Sequence, residues 1–548
     1  MQWRCFLVVV ILLASVPVLA GASPKSNPNQ SIDRIIANER ALSDTMRKYS
    51  PMVETYLQRM QPDTSLGFVP SEDHYFLGRV QFQQTKEEFY LDKRLVERMA
   101  GAFSKLYSLS PVGFSSMIFV DRTGFDRKNY RFHFMQREFL GEVRCLLFEV
   151  SPIKSQSNRF RGAIWVEDEG YNIVRFNGSY GTFHIDSWRM NLQEGVWLPA
   201  VVYSEEFDSN KPQTGGPRVK AQTRLWGYNL GPAGRESEFA EIVVDPEAAK
   251  DSSSHPDKSP LDIQRSWQRR AEDNVIIKLQ ELGLVVPEGE VDNVLQTVVT
   301  NLEVTNKIVL DPEVRCRVMP TTPIEVATIG HTILVSRGLL DALPNEAALA
   351  AVLAHALAHA TLGHDLDSSF AFNDRLVVPS LKQLPLFDFK HNAEQESAAD
   401  ALGLKIVANS PYKDNLAEAG LFLKALAKYG RRVPNLIKAN LGESLVTDDR
   451  ISFMSALAGA APPLELENPQ QIVALPLGSR VKLDPWAGQL KFVKASPPRI
   501  YSAKDKLALE VTPFSPYLVR VNEARVNDVH LNDSSGTRDP ASNSTQER

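Results

Sequence analysis

The sequence predicts a multidomain α+β protein: a curved antiparallel β-sheet domain, then a mostly α-helical domain, then a small C-terminal β segment. Three observations carry this prediction. From about residue 75 to 245 the chain runs through aromatic and β-branched stretches with much alternation, such as "YRFHFMQREFLGEVRCLLFEVSP" and "GVWLPAVVYSEEF", and no helical period comes between them. Strands in succession without helices argue for an antiparallel sheet. The polar, Pro/Ser-rich stretch "PEAAKDSSSHPDKSPLD" (246–262) then reads as a linker. Beyond it, 263–460 is mostly helical in pattern, and 461–525 turns β-like and Pro-rich.

In chain order, the first residues, "MQWRCFLVVVILLASVPVLAGASPKS", have the layout of a cleaved secretory signal over 1–22. The apolar run from Phe6 to Ala20 is shorter than the ~20 residues needed to span a bilayer. The expectation is an exported protein, periplasmic in a Gram-negative host, with no transmembrane segment once the signal is removed. The net charge of -5 offers nothing to nucleic acid. Removing the signal leaves Cys145 and Cys316, each in a strand-like run, which are too few for a disulfide framework and read as buried free thiols. Residues 31–60 read as helix, broken near Pro51, and open a first domain over 31–245. The tail 526–548 has almost nothing to bury and is expected to be disordered.

Chemistry concentrates in one place. His355, His359 and His364 fall within "VLAHALAHATLGH". Asn345 can cap the helix that carries them, "AALAAVLAHALAHATL" forms its body, and Gly363 stops it. A spacing of four puts His355 and His359 on one helix face, where two imidazoles can meet one tetrahedral metal. In a second helix, "NAEQESAADALGLKIV", Glu396 and Asp400 are also four apart. Glu396 can be a third ligand, and Asp400 can accept the free N–H of a ligating histidine and hold its ring.

Two resemblances follow from these residues. "LFEVSP" followed by "GAIWVEDEGYNIVRF" resembles the lipoprotein-carrier type of periplasmic fold, which implies an apolar cavity for lipid or apolar peptide in the 31–245 domain. "HTILVSRGLLDALPNEAALAAVLAHALAHATLGH" followed by "AEQESAADALGL" resembles the HtpX-like zinc metallopeptidases, of the HExxH (gluzincin) kind, over roughly 265–455. The resemblance implies a zincin-type domain with zinc as cofactor, held by His355, His359 and Glu396, with Asp400 as the outer carboxylate. It matches the stretch His331, Thr332, Ile333, Leu334, Val335 to the edge on which a substrate peptide lies. Arg450 matches a supporting arginine, and His364 a histidine without a ligand role.

The sequence departs from that family twice. Ala356 stands where the family has the glutamate general base, so the motif reads HALAH, and a methyl group neither accepts nor delivers a proton. Loss of a general base alone costs ~10²–10⁴ in rate. In "GESLVTDDRI", Ser444 and Leu445 stand where a metal-proximal Thr-His-Pro motif has its histidine and proline. Neither departure removes a zinc ligand. No catalytic residue is assigned. The leading expectation is a secreted pseudopeptidase that binds zinc and polypeptide. One alternative is an active, atypical metalloendopeptidase with a substitute base, Glu394 and Asp365 being the nearest carboxylates in sequence. The other is a lipid or lipoprotein carrier whose α domain is a scaffold. The apolar loop over 365–391 reads as a lid or a partner surface.

Overall fold

The computed structural model describes residues 28–63, 67–82, 86–89, 117–122, 124–154, 159–193, 195–207, 216–230, 260–364, 389–447, 450–465, 481–483 and 490–492. The expected signal (1–22), the tail (526–548) and most of the linker (246–262) and of the 365–391 loop lie outside them.

Helix α1 (Pro28–Met46) buries Ile32, Ile35, Ile36, Leu42 and Met46, the three-and-four spacing of one helical face. The expectation of helix through residue 60 is corrected here. Pro51 lacks an N–H and opens strand β1 (Met52–Asp63) instead. The period of two decides the matter. Val53 and Leu57 pack into the core beneath α1, whereas Met52 and Tyr56 on the other face pack into the core of the helical half. A strand buried on both faces has no polar side to alternate with, so its sequence does not separate strand from helix.

Nine more strands join β1: β2 (Gly67–Gln81), β3 (Lys86–Phe89), β4 (Tyr130–Leu140), β5 (Val143–Pro152), β6 (Arg161–Glu167), β7 (Ile173–Tyr180), β8 (Phe183–Gln193), β9 (Val196–Glu206) and β10 (Val219–Trp226). They form one antiparallel sheet in the order β3-β2-β1-β10-β9-β8-β7-β6-β5-β4, so that the last strand returns beside the first. Two ion pairs are buried in it. Arg189 meets Glu39 of α1 through both guanidinium nitrogens at 2.7 and 2.8 Å, and Arg224 donates to Glu54 of β1. Cys145 and Cys316 are free and buried, and burial pushes the Cys145 thiol up to about 12.

The second half begins with α2 (Pro260–Glu281) and α3 (Glu290–Asn306), so helix starts inside the expected linker. It also contains a small mixed sheet that the sequence indicated only as a short strand-like stretch. The strands β11 (Arg315–Met319), β12 (Glu325–Ile329), β13 (Thr332–Ser336) and β14 (Glu443–Ser444) take the order β11-β13-β12-β14. Helices α4 (Arg337–Ala342), α5 (Glu346–Thr361), α6 (Ala393–Ala408), α7 (Leu416–Gly430) and α8 (Pro434–Ile437) complete its body. The expected C-terminal β segment is represented by the pair Val481–Leu483 and Leu490–Phe492.

The two halves share a core. Met52, Tyr56, Tyr75, Leu77, Tyr203 and Trp226 of the large sheet belong to the same buried cluster as Val275, Leu339 and Leu353. Polar bonds cross the same boundary. Thr322 N and Oγ1 donate to Glu54 at 2.6 and 2.9 Å, and Asn435 N and Leu436 N donate to Asp73 at 3.0 and 2.9 Å. Among the described residues, no helix is long and apolar enough to cross a membrane.

Candidate metal centre

Helix α5 starts where Asn345 accepts a bond from Ala348 N at 2.9 Å, and every residue from Ala347 to Ala360 is buried. Its run of alanines lets a neighbour come close. That neighbour is α6, capped by Asn392, whose side chain accepts from Glu394 N and Gln395 N. Gly403 of α6 faces α5 at such short range that a Cβ there would lie 2.9 Å from His355 Cα. This close approach brings Glu396 and Asp400 against the two histidines.

The geometry is compact. His355 Nε2 and His359 Nε2 are 3.0 Å apart. Glu396 lies 3.5 Å from each of them, through Oε2 and Oε1 respectively. Asp400 Oδ1 accepts from His355 Nδ1 at 2.8 Å and from Met454 N at 2.9 Å, which fixes the ring with Nε2 turned into the cluster. His364 does the corresponding service for His359, Nδ1 to Nδ1 at 2.8 Å. The structure therefore brings His355, His359, Glu396, Asp400 and His364 together.

Two further residues join them that sequence reasoning missed. Glu443 of β14 points Oε2 at both ligand-type nitrogens, 3.6 Å from His355 and 3.9 Å from His359. His391 stacks on His359 with ring centroids 3.8 Å apart, and its Nδ1 lies 2.5 Å from Glu443 Oε1. Glu443 adjoins Ser444, which the family comparison singled out for its missing histidine. No local spacing points to Glu443 itself, since it reaches the site through sheet pairing 87 residues after Ala356.

Other expected site residues lie elsewhere. Thr332–Ser336 is an inner strand, paired in parallel with β11 and antiparallel with β12. The expected substrate edge from His331 to Val335 is thus a correction: both backbone sides of this strand are occupied. His331 and Thr332 instead bond to Glu272 of α2. Arg450 is exposed, with its backbone paired to Thr447, and makes no side-chain bond to the cluster among the described residues. Glu394 is exposed in the first turn of α6, and Asp365 lies outside the described residues. Ala356 is fully buried.

The electrostatics of the cluster follow from burial and crowding. Burial opposes charge on His355, but its bonds to Asp400, Glu396 and Glu443 outweigh that and raise it to about 10. Burial and the neighbouring His355 push His359 down to about 3. Burial raises Glu396 to about 7, while the histidines around Glu443 overcome burial and hold it well below the usual carboxylate range. Two half-buried carboxylates thus crowd two imidazoles, and their negative charge calls for a cation between them.

A divalent metal fits this demand. Four donor atoms, from His355, His359, Glu396 and Glu443, lie within 4.8 Å of one another. Glu396 Oε1 is buried with no hydrogen-bond partner, an orphan that a cation would satisfy. Imidazole nitrogen with carboxylate oxygen is a donor set that zinc takes readily.

No curated protein matches the sequence. Solved structures similar to this chain include a DUF1329 family protein from Desulfovibrio piger, 10% identical, covering 37% of this chain and 94% of that one at a TM-score of 0.19. A LolA superfamily protein from Nitrosomonas europaea is 13% identical and covers 35% of this chain and 91% of that one, at a TM-score of 0.18. MucB is 10% identical, covering 39% of this chain and 62% of its own, at a TM-score of 0.15. Residues 326–436, which hold β12 after its first residue, both histidines of α5 and the carboxylates of α6, match the model of Peptidase family M48.

Proposed function

We propose that this chain is an exported zinc-binding protein of metallopeptidase fold that holds polypeptide without hydrolysing it. His355, His359 and Glu396 hold the zinc, and Asp400 and His364 orient the two rings. Bound zinc supplies the Lewis acidity that activates a water in the hydrolases of this kind. The reading rests on one observation. Ala356, buried on the metal helix between the two histidines, offers a methyl group where the mechanism needs a proton acceptor. A polypeptide partner is supported by the sheet end: β4 is a terminal strand and exposes Phe134, Met135 and Phe139.

A second reading is favoured by Glu443: an atypical active peptidase in which that carboxylate replaces the missing base. One pair of measurements separates the two. Zinc per chain is measured on the purified protein by elemental analysis, and cleavage of casein and of a quenched peptide library is followed in parallel. One zinc per chain with no cleavage is the expected result. Cleavage abolished by a chelator overturns the pseudopeptidase reading.

A further inference from the structure

We infer that Glu443 is a fourth protein ligand, so that this chain closes around its metal and leaves no coordination position for water. The inference rests on the zinc-binding reading above and deepens it.

Glu443 and Glu396 stand in nearly the same relation to the histidines. Glu396 lies 3.5 Å from each Nε2, and Glu443 lies 3.6 and 3.9 Å from them. The segment that matches the peptidase family model ends at 436, and Glu443 stands where the Thr-His-Pro motif of the resemblance would have its threonine.

Its role as base is disfavoured by what its two oxygens do. A general base needs an oxygen free to take a proton from a metal-bound water and then release it. Glu443 Oε1 is engaged by His391, through Nδ1 at 2.5 Å and the backbone N at 3.3 Å. The remaining oxygen, Oε2, faces both ligand nitrogens, where a ligand belongs.

The placement is also built rather than incidental. The buried Glu325 of β12 accepts from Asn440 N, Leu441 N and Gly442 N at 2.7, 2.9 and 3.3 Å, which folds the turn leading into β14. Gly442 is required there, because a Cβ would sit 2.1 Å from Val326 O. Pairing of Glu443 with Val326 then sets which way the side chain points.

Charge closes the argument. Two neutral imidazoles and two carboxylates neutralise a divalent ion, and four protein ligands are the pattern of structural sites, whereas a catalytic site keeps three protein ligands and an open position. A centre with no bound water has no use for a proton acceptor, which gives Ala356 a physical reason.

The test uses cobalt(II) in place of zinc in the full chain, with azide as an external ligand. The visible spectrum of the natural protein is expected to be that of a four-coordinate ion and to stay unchanged as azide is added. In Glu443→Ala the opened position takes azide and the spectrum shifts. Competition with a chelator is expected to show metal binding weakened at least ~10–100-fold in that variant. A spectrum of the natural protein that moves with azide overturns the inference while leaving zinc binding intact. Failure to take up one metal per chain overturns the zinc reading beneath it. The natural protein decides both points, so a variant that fails to fold does not blunt the test. Glu443→Gln, close in shape, provides the second variant.

Discussion

The large sheet and the histidine cluster both bury charge, and they balance it in opposite ways. Beneath α1, Glu39 meets Arg189 in a two-pronged pair, and the guanidinium also donates to the carbonyl oxygens of Ile173 and Ile118. At the boundary, Glu54 is matched by Arg224 and by Tyr75 and Thr322. Both of these carboxylates have an arginine as partner. In the cluster, the positive partners of Glu396 and Glu443 among the described residues are all histidines, groups that carry charge only when protonated. Arginine beside Glu39 and Glu54, and histidine alone beside Glu396 and Glu443, is the contrast that the zinc-binding reading expects. The acids of the sheet are also the more deeply buried, Glu39 and Glu54 at 2% and 1% side-chain exposure against 26% and 11% for Glu396 and Glu443.

The contrast can be broken at its strongest point first. Arg189→Met leaves Glu39 buried without its partner and is expected to cost about 3–5 kcal/mol in urea unfolding. Removing both charges with Glu39→Leu alongside is expected to recover most of the loss. Next comes the metal. At a free zinc concentration ~1,000 times Kd, binding adds about 4 kcal/mol of stability. A chelator is therefore expected to lower the melting temperature of the natural protein and to leave His355→Ala unmoved. Asp400→Asn keeps the shape but loses the charge that orients His355, and metal affinity is expected to fall ~10–100-fold by competition titration.

The smallest effect belongs to an intermediate case. Asp292 of α3 is buried with Arg317 only loosely matched at 3.7 Å, and burial raises its carboxyl to about 6. A raised folded value means that the native state holds the proton more tightly than the unfolded chain. Its contribution to stability is full below about pH 4, is lost as pH rises through about 6 and is flat above that. The decline is expected to be ~1–3 kcal/mol between those limits and to be missing from Asp292→Asn. An equal decline in both proteins would show that Arg317 suffices as a partner and would blur the comparison.

What the sequence discloses follows the range of the interactions. The histidine helix and the helix of Glu396 and Asp400 are written locally: caps at Asn345 and Asn392, and side chains four apart that share a face. The succession of strands was legible for the same reason. Glu443 and His391 were not, because Glu443 arrives through a turn fixed by Glu325 and His391 meets it 52 residues apart in sequence. Strand β1 was misjudged because it is covered on both faces, and a strand with no solvent side loses the alternation by which strands are recognised. The inner position of β13 has another cause: pairing with β11 and β12 on its two sides, which no local pattern records.

The shared core has a practical meaning for anyone who cuts this chain. Tyr56, Tyr75, Tyr203 and Trp226 turn their rings into the helical half, Trp226 donates to Gly283 O, and Asp73 caps the turn of Asn435 and Leu436. A fragment beginning near residue 260 would expose the apolar surface that those rings cover and would leave the first N–H groups of α8 without an acceptor. It would be sticky in solution, and its metal site would lose a support on the approach to Glu443. The sheet is thus a cofolding partner of the histidine cluster, and the two halves are best expressed, purified and mutated as one body.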